Sequence, residues 1–268
     1  MSLTLTLHTQ PDVPLEAETI VPQRFDGMDA KKVAAAKVLY GNQPAALGDF
    51  FRVEGRPDGE LRVVGNLSWI KMIGAGMTHG RIVIEGNVGM HLGAAMSGGE
   101  ILVDGNVADW VGEEMSGGRI VVKGNAGHLV GSALRGESVG ARGGEIIIHG
   151  NAGNEVGGGM RRGLIAVGGN SGDFTGVSML AGTVVVLGQL GIRTGAGMKR
   201  GTVVSCKPAE LLPTFSYACS YRPVALRLVL GYLRSRGLAI SDAQFFGRYR
   251  RWSGDGVETG RGEVLLLE

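Results

Sequence analysis

Cysteine is nearly absent: Cys206 and Cys219 are the only two in 268 residues, and no Cys-x-x-Cys pair occurs. Zinc ribbons, iron–sulfur clusters and disulfide scaffolds need more thiols than this, so those classes are excluded and the two thiols read as buried or inert. Long apolar runs are missing too. None reaches the ~18 residues of a membrane span. The start "MSLTLTLH" lacks the basic residues and apolar length of a secretory signal, so the chain reads as cytoplasmic, with no membrane partner. Net charge is small, at +2, and gives no global reason to expect nucleic acid as a partner. The asymmetry that exists lies late: from Arg193 onward there are 12 Lys/Arg against 6 Asp/Glu.

Glycine supplies what the other residue types lack. The 48 glycines exceed twice the usual ~7% share, without the every-third-residue rule of collagen, and 44% of the chain is apolar, which argues against disorder. The glycine that opens each Gly-Asn phrase falls at 65, 86, 105, 124, 150 and 169, and Gly188-Gln189 is a degenerate copy. The steps are 21, 19, 19, 26, 19 and 19, so the long step is one repeat plus a seven-residue insertion within "LRGESVGARGG". A second marker recurs in register: Gly74-Met77, Gly93-Met96, Gly112-Met115, Gly157-Met160, Gly176-Met179 and Gly195-Met198, with Leu134 in the methionine position of the inserted coil.

Each repeat ends in a short β-type run, such as "RIVIE", "EILVD", "RIVVK" and "EIIIH", rich in Val and Ile. No stretch between runs is long and amphipathic enough for the crossover helix of a βαβ unit. The spacing therefore predicts an all-β fold, a right-handed parallel β-helix: a single-stranded solenoid of about eight coils rising ~4.8 Å each. Glycine at the corner is expected to take positive φ, and asparagine to bond to the asparagines above and below it. The methionines are expected to fill the solenoid core.

Side-chain parity within the runs fixes the faces. Four and two residues before each corner glycine come aliphatic pairs from Leu61/Val63 to Val184/Val186, which must point inward. On the opposite face, Glu60, Arg81, Glu100, Arg119 and Glu145 alternate in sign, and Glu85, Asp104, Lys123 and His149 form another charged column; both read as structural pairings across coils. Between these columns runs an apolar outward stripe, Val83, Leu102, Val121, Ile147, Ala166 and Val185. Such a stripe is either an interface with a partner or a seat for the chain's own N- or C-terminal segment.

The flanks read as caps: residues 1–58 form an N-terminal cap with a short helical stretch from Ala30 to Leu39, residues 59–207 form the β-helix, and residues 208–268 form a C-terminal cap. One C-terminal helix is expected in "PVALRLVLGYLRSRG", with Leu226, Val229, Leu230 and Leu233 on one face and Gly237 as the stop. The basic, aromatic "FFGRYRRWSG" that follows matches no nucleic-acid-binding module.

Chemistry is hard to place on this chain. Asp109, His128, Asn154 and Asp173 share a column, but Met90 and Ile192 continue it, which favours a polar ladder over a metal site. Glu113 and Glu114 are adjacent and do not converge on one substrate. "GAGMTHG" and "GAGMKRG" imitate a dinucleotide fingerprint, yet each leads into a strand rather than a helix. No nucleophile with its base is evident, so no catalytic residue, no metal ligand and no cofactor held by this chain is expected. Arg135, Arg161, Arg162, Lys199 and Arg200 follow the methionine column of three coils and gather as either a solvated edge or a docking strip for an acidic segment or polyanionic cofactor tail.

The tandem "GNxG...GxxMxGGxIxVxGN" phrases from 65 to 207, followed by "LLPTFSYACSYRP", resemble the C subunit of formylmethanofuran dehydrogenase and its relative in the bacterial formyltransferase/hydrolase complex. The same repeat resembles the glycine-rich C-terminal domain of the glutamate synthase large subunit. The "PLEAETIVPQRF...GDFFRVEG" start favours the stand-alone C subunit, and the "GRYRRWSGD" tail its bacterial version. The resemblance implies a non-catalytic scaffold beside amidohydrolase-like, formyltransferase and B-type subunits. It implies a complex that moves a formyl group between tetrahydromethanopterin and a methanofuran-type carrier and releases formate. The C subunit of a molybdenum or tungsten dehydrogenase, a free-standing glutamate-synthase-type domain and a β-helix enzyme acting on polysaccharide are the alternatives, the last lacking clustered outward carboxylates.

Overall fold

The computed structural model describes residues 2–268. Eight repeat strands stack in parallel: Glu60–Val64, Arg81–Glu85, Glu100–Val103, Arg119–Val122, Arg142–Ile148, Arg162–Val167, Thr183–Val186 and Thr202–Ser205. Like residues pair with like, Ile82 with Ile101 and Ile101 with Ile120. A second column of bridges runs Leu67, Val88, Val107 and Ala126, then Ala152, Ser171 and Leu190. Two strands from outside the repeat join the stack. Leu3–Leu7 lies parallel to Glu60–Val64, and Gly262–Leu267 parallel to Thr202–Ser205. Antiparallel strands Phe51–Glu54 and Tyr249–Gly254 then cover these outer rungs, and Ser216–Tyr221 forms the far edge. The protein is thus a parallel β-helix closed at both ends by its own termini.

The inward aliphatic ladder is continuous from Leu61 and Val63 to Val184 and Val186, each at most 1% exposed. The six repeat methionines are fully buried beside it. Their role is specific to the glycine that precedes the next strand. A Cβ on Gly99, Gly118 or Gly144 would fall 2.5, 2.6 or 2.5 Å from the Cε of Met77, Met96 or Met115, so each thioether fills the hollow left by a glycine one coil further on. In the inserted coil the methionine position belongs to Ala141, not Leu134. Ala141 is 2% exposed and its amide bonds at 2.9 Å to Gly131 O, the carbonyl equivalent to Gly112 O, which binds Met115. Leu134 lies instead on the inserted loop and is 37% exposed.

The asparagine ladder forms as the repeat predicts. Asn106, Asn125, Asn151, Asn170 and Gln189 each donate a backbone N–H, at 2.8–2.9 Å, to the Oδ1 of the asparagine one coil earlier. The corner glycines serve it for a different reason than left-handed geometry. Only Gly65 and Gly86 have positive φ at this corner. At Gly124 and Gly150 a Cβ would lie 2.5 Å from the Oδ1 of Asn106 and Asn125, so glycine allows close approach between coils. The left-handed corner lies five residues further on, where His91, Trp110, Leu129, Glu155, Phe174 and Arg193 take φ of 58–65°. Each costs about 1–2 kcal/mol relative to glycine, and each from His91 to Phe174 ties its amide to the next coil at 2.8–3.1 Å.

The helical elements also differ in detail from the sequence reading. The N-terminal helix covers Ala30–Ala34 and gives way to a strand at Lys37–Tyr40, and a further short helix forms at Pro22–Phe25. At the other end Val224–Ser235 is the one long helix, followed by Asp242–Phe246.

Candidate functional site

The outward apolar stripe divides into two parts. Ile147, Ala166, Val185 and Val204 are fully buried in a second apolar cluster with Leu226, Leu230 and Leu233 of the C-terminal helix, plus Leu238, Ile240 and Leu265. Ile147 and Val185 are therefore covered by the chain's own C-terminal segment and do not lie on the surface. The helix takes this seat because its apolar residues recur every three or four positions and match the ladder of strand side chains. Its lower end is fixed by Tyr232, whose hydroxyl donates to Glu145 Oε2 at 2.5 Å. Val83, Leu102 and Val121 continue the stripe below it and are half-buried.

The charged columns flank this stripe. Arg81 sits 3.4 Å from Glu60 and 3.3 Å from Glu100, and Arg119 sits 3.1 Å from Glu100 and 2.9 Å from Glu145. Hydrogen bonds to Glu145 and Glu100 push the Arg119 guanidinium further toward its charged form. On the other side Lys123 pairs with Asp104 at 2.5 Å, and Arg62 with Glu85. His149 ends that column, its basicity lowered by burial and by the Lys123 charge.

Four of the five predicted basic residues meet in one place. Arg161, Arg162, Lys199 and Arg200 line a groove of about 570 Å³ with Leu180, Ala181, Gly182 and Thr259. Lys199 lies 4.0 Å from Glu258, and among the described residues Arg161, Arg162 and Arg200 have no ion-pair partner. Arg135 sits on the inserted loop and lines an adjoining groove with Trp110, Leu129 and Leu134, and Lys199 and Leu180 border both grooves. A further cation beside this edge is Arg142, the strand partner of Arg162. Counting back from the strand, where "RGGEIII" mirrors "RRGLIAV", would have found it.

The left-handed corner carries the bulkiest side chains. His91 stacks on Trp110 with ring centroids 5.9 Å apart and planes 13° apart, and its Nδ1 lies 2.7 and 2.8 Å from the two carboxylate oxygens of Glu113. Glu113 is 4% exposed, whereas Glu114 points toward the amide of Leu134, so the two carboxylates diverge. The buried carboxylate here orients the imidazole through Nδ1. The Asp109 column is a second ladder: His128 donates its amide to Asp109 Oδ1 at 2.7 Å, Asn154 to His128 Nδ1 at 2.9 Å, and Asp173 to Asn154 Oδ1 at 3.0 Å. Among the described residues no group of three His, Cys, Asp or Glu is placed to hold a metal ion. Cys206 is buried, which pushes its thiol up to about 11; Cys219 is exposed. No helix is long and apolar enough to cross a membrane.

These features define a class: a glycine-rich parallel β-helix with polar ladders stacked from coil to coil, a basic edge and a partly covered outward apolar stripe. The GXGXG motif family matches residues 71–214. One chain of the crystal structure of the formyltransferase/hydrolase complex (FhcABCD) from Methylorubrum extorquens, solved in complex with methylofuran, superposes with a TM-score of 0.93 at 32% identity, covering 99% of both chains. The C subunit of molybdenum-containing formylmethanofuran dehydrogenase 1 from Methanothermobacter thermautotrophicus is 42% identical over 94 residues, 34% of this chain and 24% of that protein. The C subunit of tungsten-containing formylmethanofuran dehydrogenase 2 from Methanothermobacter marburgensis is 41% identical over 93 residues, 33% and 34% of the two chains. The chain thus matches only a quarter to a third of the length of these curated relatives. It belongs to the GXGXG motif family, in the group formed by the C subunit of formylmethanofuran dehydrogenase and its formyltransferase/hydrolase counterpart.

Proposed function

We propose that the chain is the non-catalytic scaffold subunit of a cytoplasmic formyltransferase/hydrolase complex. In this reading, catalytic neighbours transfer a formyl group between tetrahydromethanopterin and a methanofuran-type carrier and release formate. The observation that carries it is the full-length likeness to a chain of such a complex, which extends through both caps as well as the repeat. Ladders of paired side chains also suit a rigid frame better than a reaction centre. The partners are a formyltransferase, an amidohydrolase-like subunit and a B-type subunit. Their contacts include Val83, Leu102 and Val121, while Arg135, Arg161, Arg162, Lys199 and Arg200, with Arg142 beside them, form a docking strip for an acidic segment or polyanionic cofactor tail.

Affinity purification of the tagged full-length chain from its own cells tests this. Co-elution in fixed ratio with a formyltransferase and an amidohydrolase-like protein is expected, and a chain that elutes alone refutes the proposal. The local identity to the molybdenum and tungsten enzymes supports a second reading, the C subunit of a formylmethanofuran dehydrogenase. Molybdenum or tungsten together with iron in the purified complex would select it.

A further inference from the structure

The chain's own C-terminal helix covers one part of the outward apolar stripe and leaves the rest open. Leu226, Leu230 and Leu233 sit on Ile147, Ala166, Val185 and Val204, and the helix runs across the strands until Tyr232 reaches Glu145. Beyond that coil the stripe continues in unbroken register. Val121 pairs with both Ile147 and Leu102, and Leu102 with Val83. Val121 already packs against the helix-covered cluster. The rims on either side are self-neutralising, because Arg81 and Arg119 pair with Glu60, Glu100 and Glu145 on one flank and Lys123 pairs with Asp104 on the other. An occupant would therefore be recognised by apolar shape rather than by charge.

Resting on the interface assignment made under Proposed function, we infer that Val83, Leu102 and Val121 seat an amphipathic helix of a neighbouring subunit, laid end to end with Val224–Ser235 along the same stripe. Adjacent coils are spaced about 4.8 Å, so Val83 and Val121 lie about 10 Å apart along the stripe. A helix rises about 1.5 Å per residue and an extended chain about 3.3 Å. Residues facing Val83 and Val121 are then about six or seven apart in a helix, and about three apart in an extended segment.

The experiment places benzoylphenylalanine at Val83 or at Val121 in the full-length chain, purifies the assembled complex, irradiates it and maps the cross-links by mass spectrometry. Attachment of both probes to one segment of another subunit, six or seven residues apart, is expected. Attachment about three residues apart, to this chain's own residues or to unrelated segments overturns the inference, as does the absence of cross-links in an intact complex. Leu102→Glu gives an independent reading where a bulky probe blocks docking. It should leave the melting temperature of the isolated chain unchanged and lower the yield of complex about tenfold or more, a loss of roughly 1.4 kcal/mol. Unchanged yield overturns the inference. An unsubstituted chain that assembles with nothing sinks the scaffold reading itself, whereas an intact complex lacking these cross-links sinks only the helix seat.

Discussion

Asn106 offers the most direct test of what holds the coils together. Its Oδ1 accepts the Asn125 backbone N–H at 2.8 Å and the Asn125 Nδ2 at 3.1 Å, and its own Nδ2 donates to Asn87 Oδ1 at 3.2 Å. Asn106→Ala deletes all three. A hydrogen bond contributes about 0.5–1.5 kcal/mol net, and this corner is exposed enough for water to replace part of each bond, so the expected loss is about 2 kcal/mol. For a chain of this size that lowers the melting temperature by roughly 4–6 °C. Asn106→Asp keeps the acceptor for the Asn125 amide but loses the donor to Asn87, and should lose about half as much. Lys123→Ala, which breaks an exposed pair with Asp104, is the control and should cost less than about 1 kcal/mol. Thermal unfolding followed by circular dichroism measures all three. If Asn106→Ala melts no lower than Lys123→Ala, the ladder is an ornament of the turn and not a support of the stack.

Two further outcomes follow from the C-terminal cap and its neighbours. Leu230 is fully buried against the stripe, so Leu230→Ala should cost about 2–4 kcal/mol and raise the hydrogen-exchange rate across Val224–Ser235, with the repeat strands far less affected. His149 has its folded-state basicity depressed below the ordinary value of 6.5 by burial and by Lys123. The unfolded chain therefore binds the proton more readily, and the histidine's contribution to stability is complete above about pH 6.5 and is lost as the pH falls. Acidification from pH 7.5 to 5.5 should lower the melting temperature of the unsubstituted protein more than that of His149→Gln, and equal slopes would refute the assignment.

The sequence made the stacked ladders legible because a strict repeat transmits side-chain parity from one coil to all. Glu60 to Glu145 alternate in sign in the sequence and pair in space, and the inward aliphatic pairs are the core. The insertion escaped the same reasoning, since counting forward from Gly131 reaches Leu134 and Arg135 while the fold resumes at Ala141 and Arg142. Counting back from the following strand carries the information, because the strand is fixed by its neighbours and the loop is not. The corner also hid its geometry. Glycine at 105, 124 and 150 looks like a demand for positive φ, but it reflects crowding against the previous coil, which no local pattern reveals. Burial of Ile147 and Val185 was a tertiary fact. The apolar stripe and the apolar helix face can each be read from the sequence, and only the fold brings them together.

The two ends of the solenoid are closed to further stacking, which leaves its sides as the surfaces open to other chains. An open solenoid exposes a strand edge at each end in the same register as every internal coil, and a second copy could continue the stack. Here the first rung, Leu3–Leu7, is followed outward by the antiparallel Phe51–Glu54, and the last, Gly262–Leu267, by the antiparallel Tyr249–Gly254. Reversing strand direction breaks the parallel register that each coil requires of the next. The last rung still obeys the internal rule, since the space of a Cβ on Gly262 is filled by Met198, with Cε 2.7 Å from that point, as Gly99 is filled by Met77. Arg251 and Glu263, 2.9 Å apart, add an ion pair across the antiparallel junction. With both ends terminated and the interior packed by Ile, Val and Met, the lateral surfaces remain: the basic edge around Arg162 and Arg200, and the half-covered stripe at Val83, Leu102 and Val121. The stripe is the stronger candidate for a permanent contact, because its rims are already neutralised and only burial would stabilise it further, whereas the unpaired guanidinium groups of the edge suit a charged ligand that comes and goes.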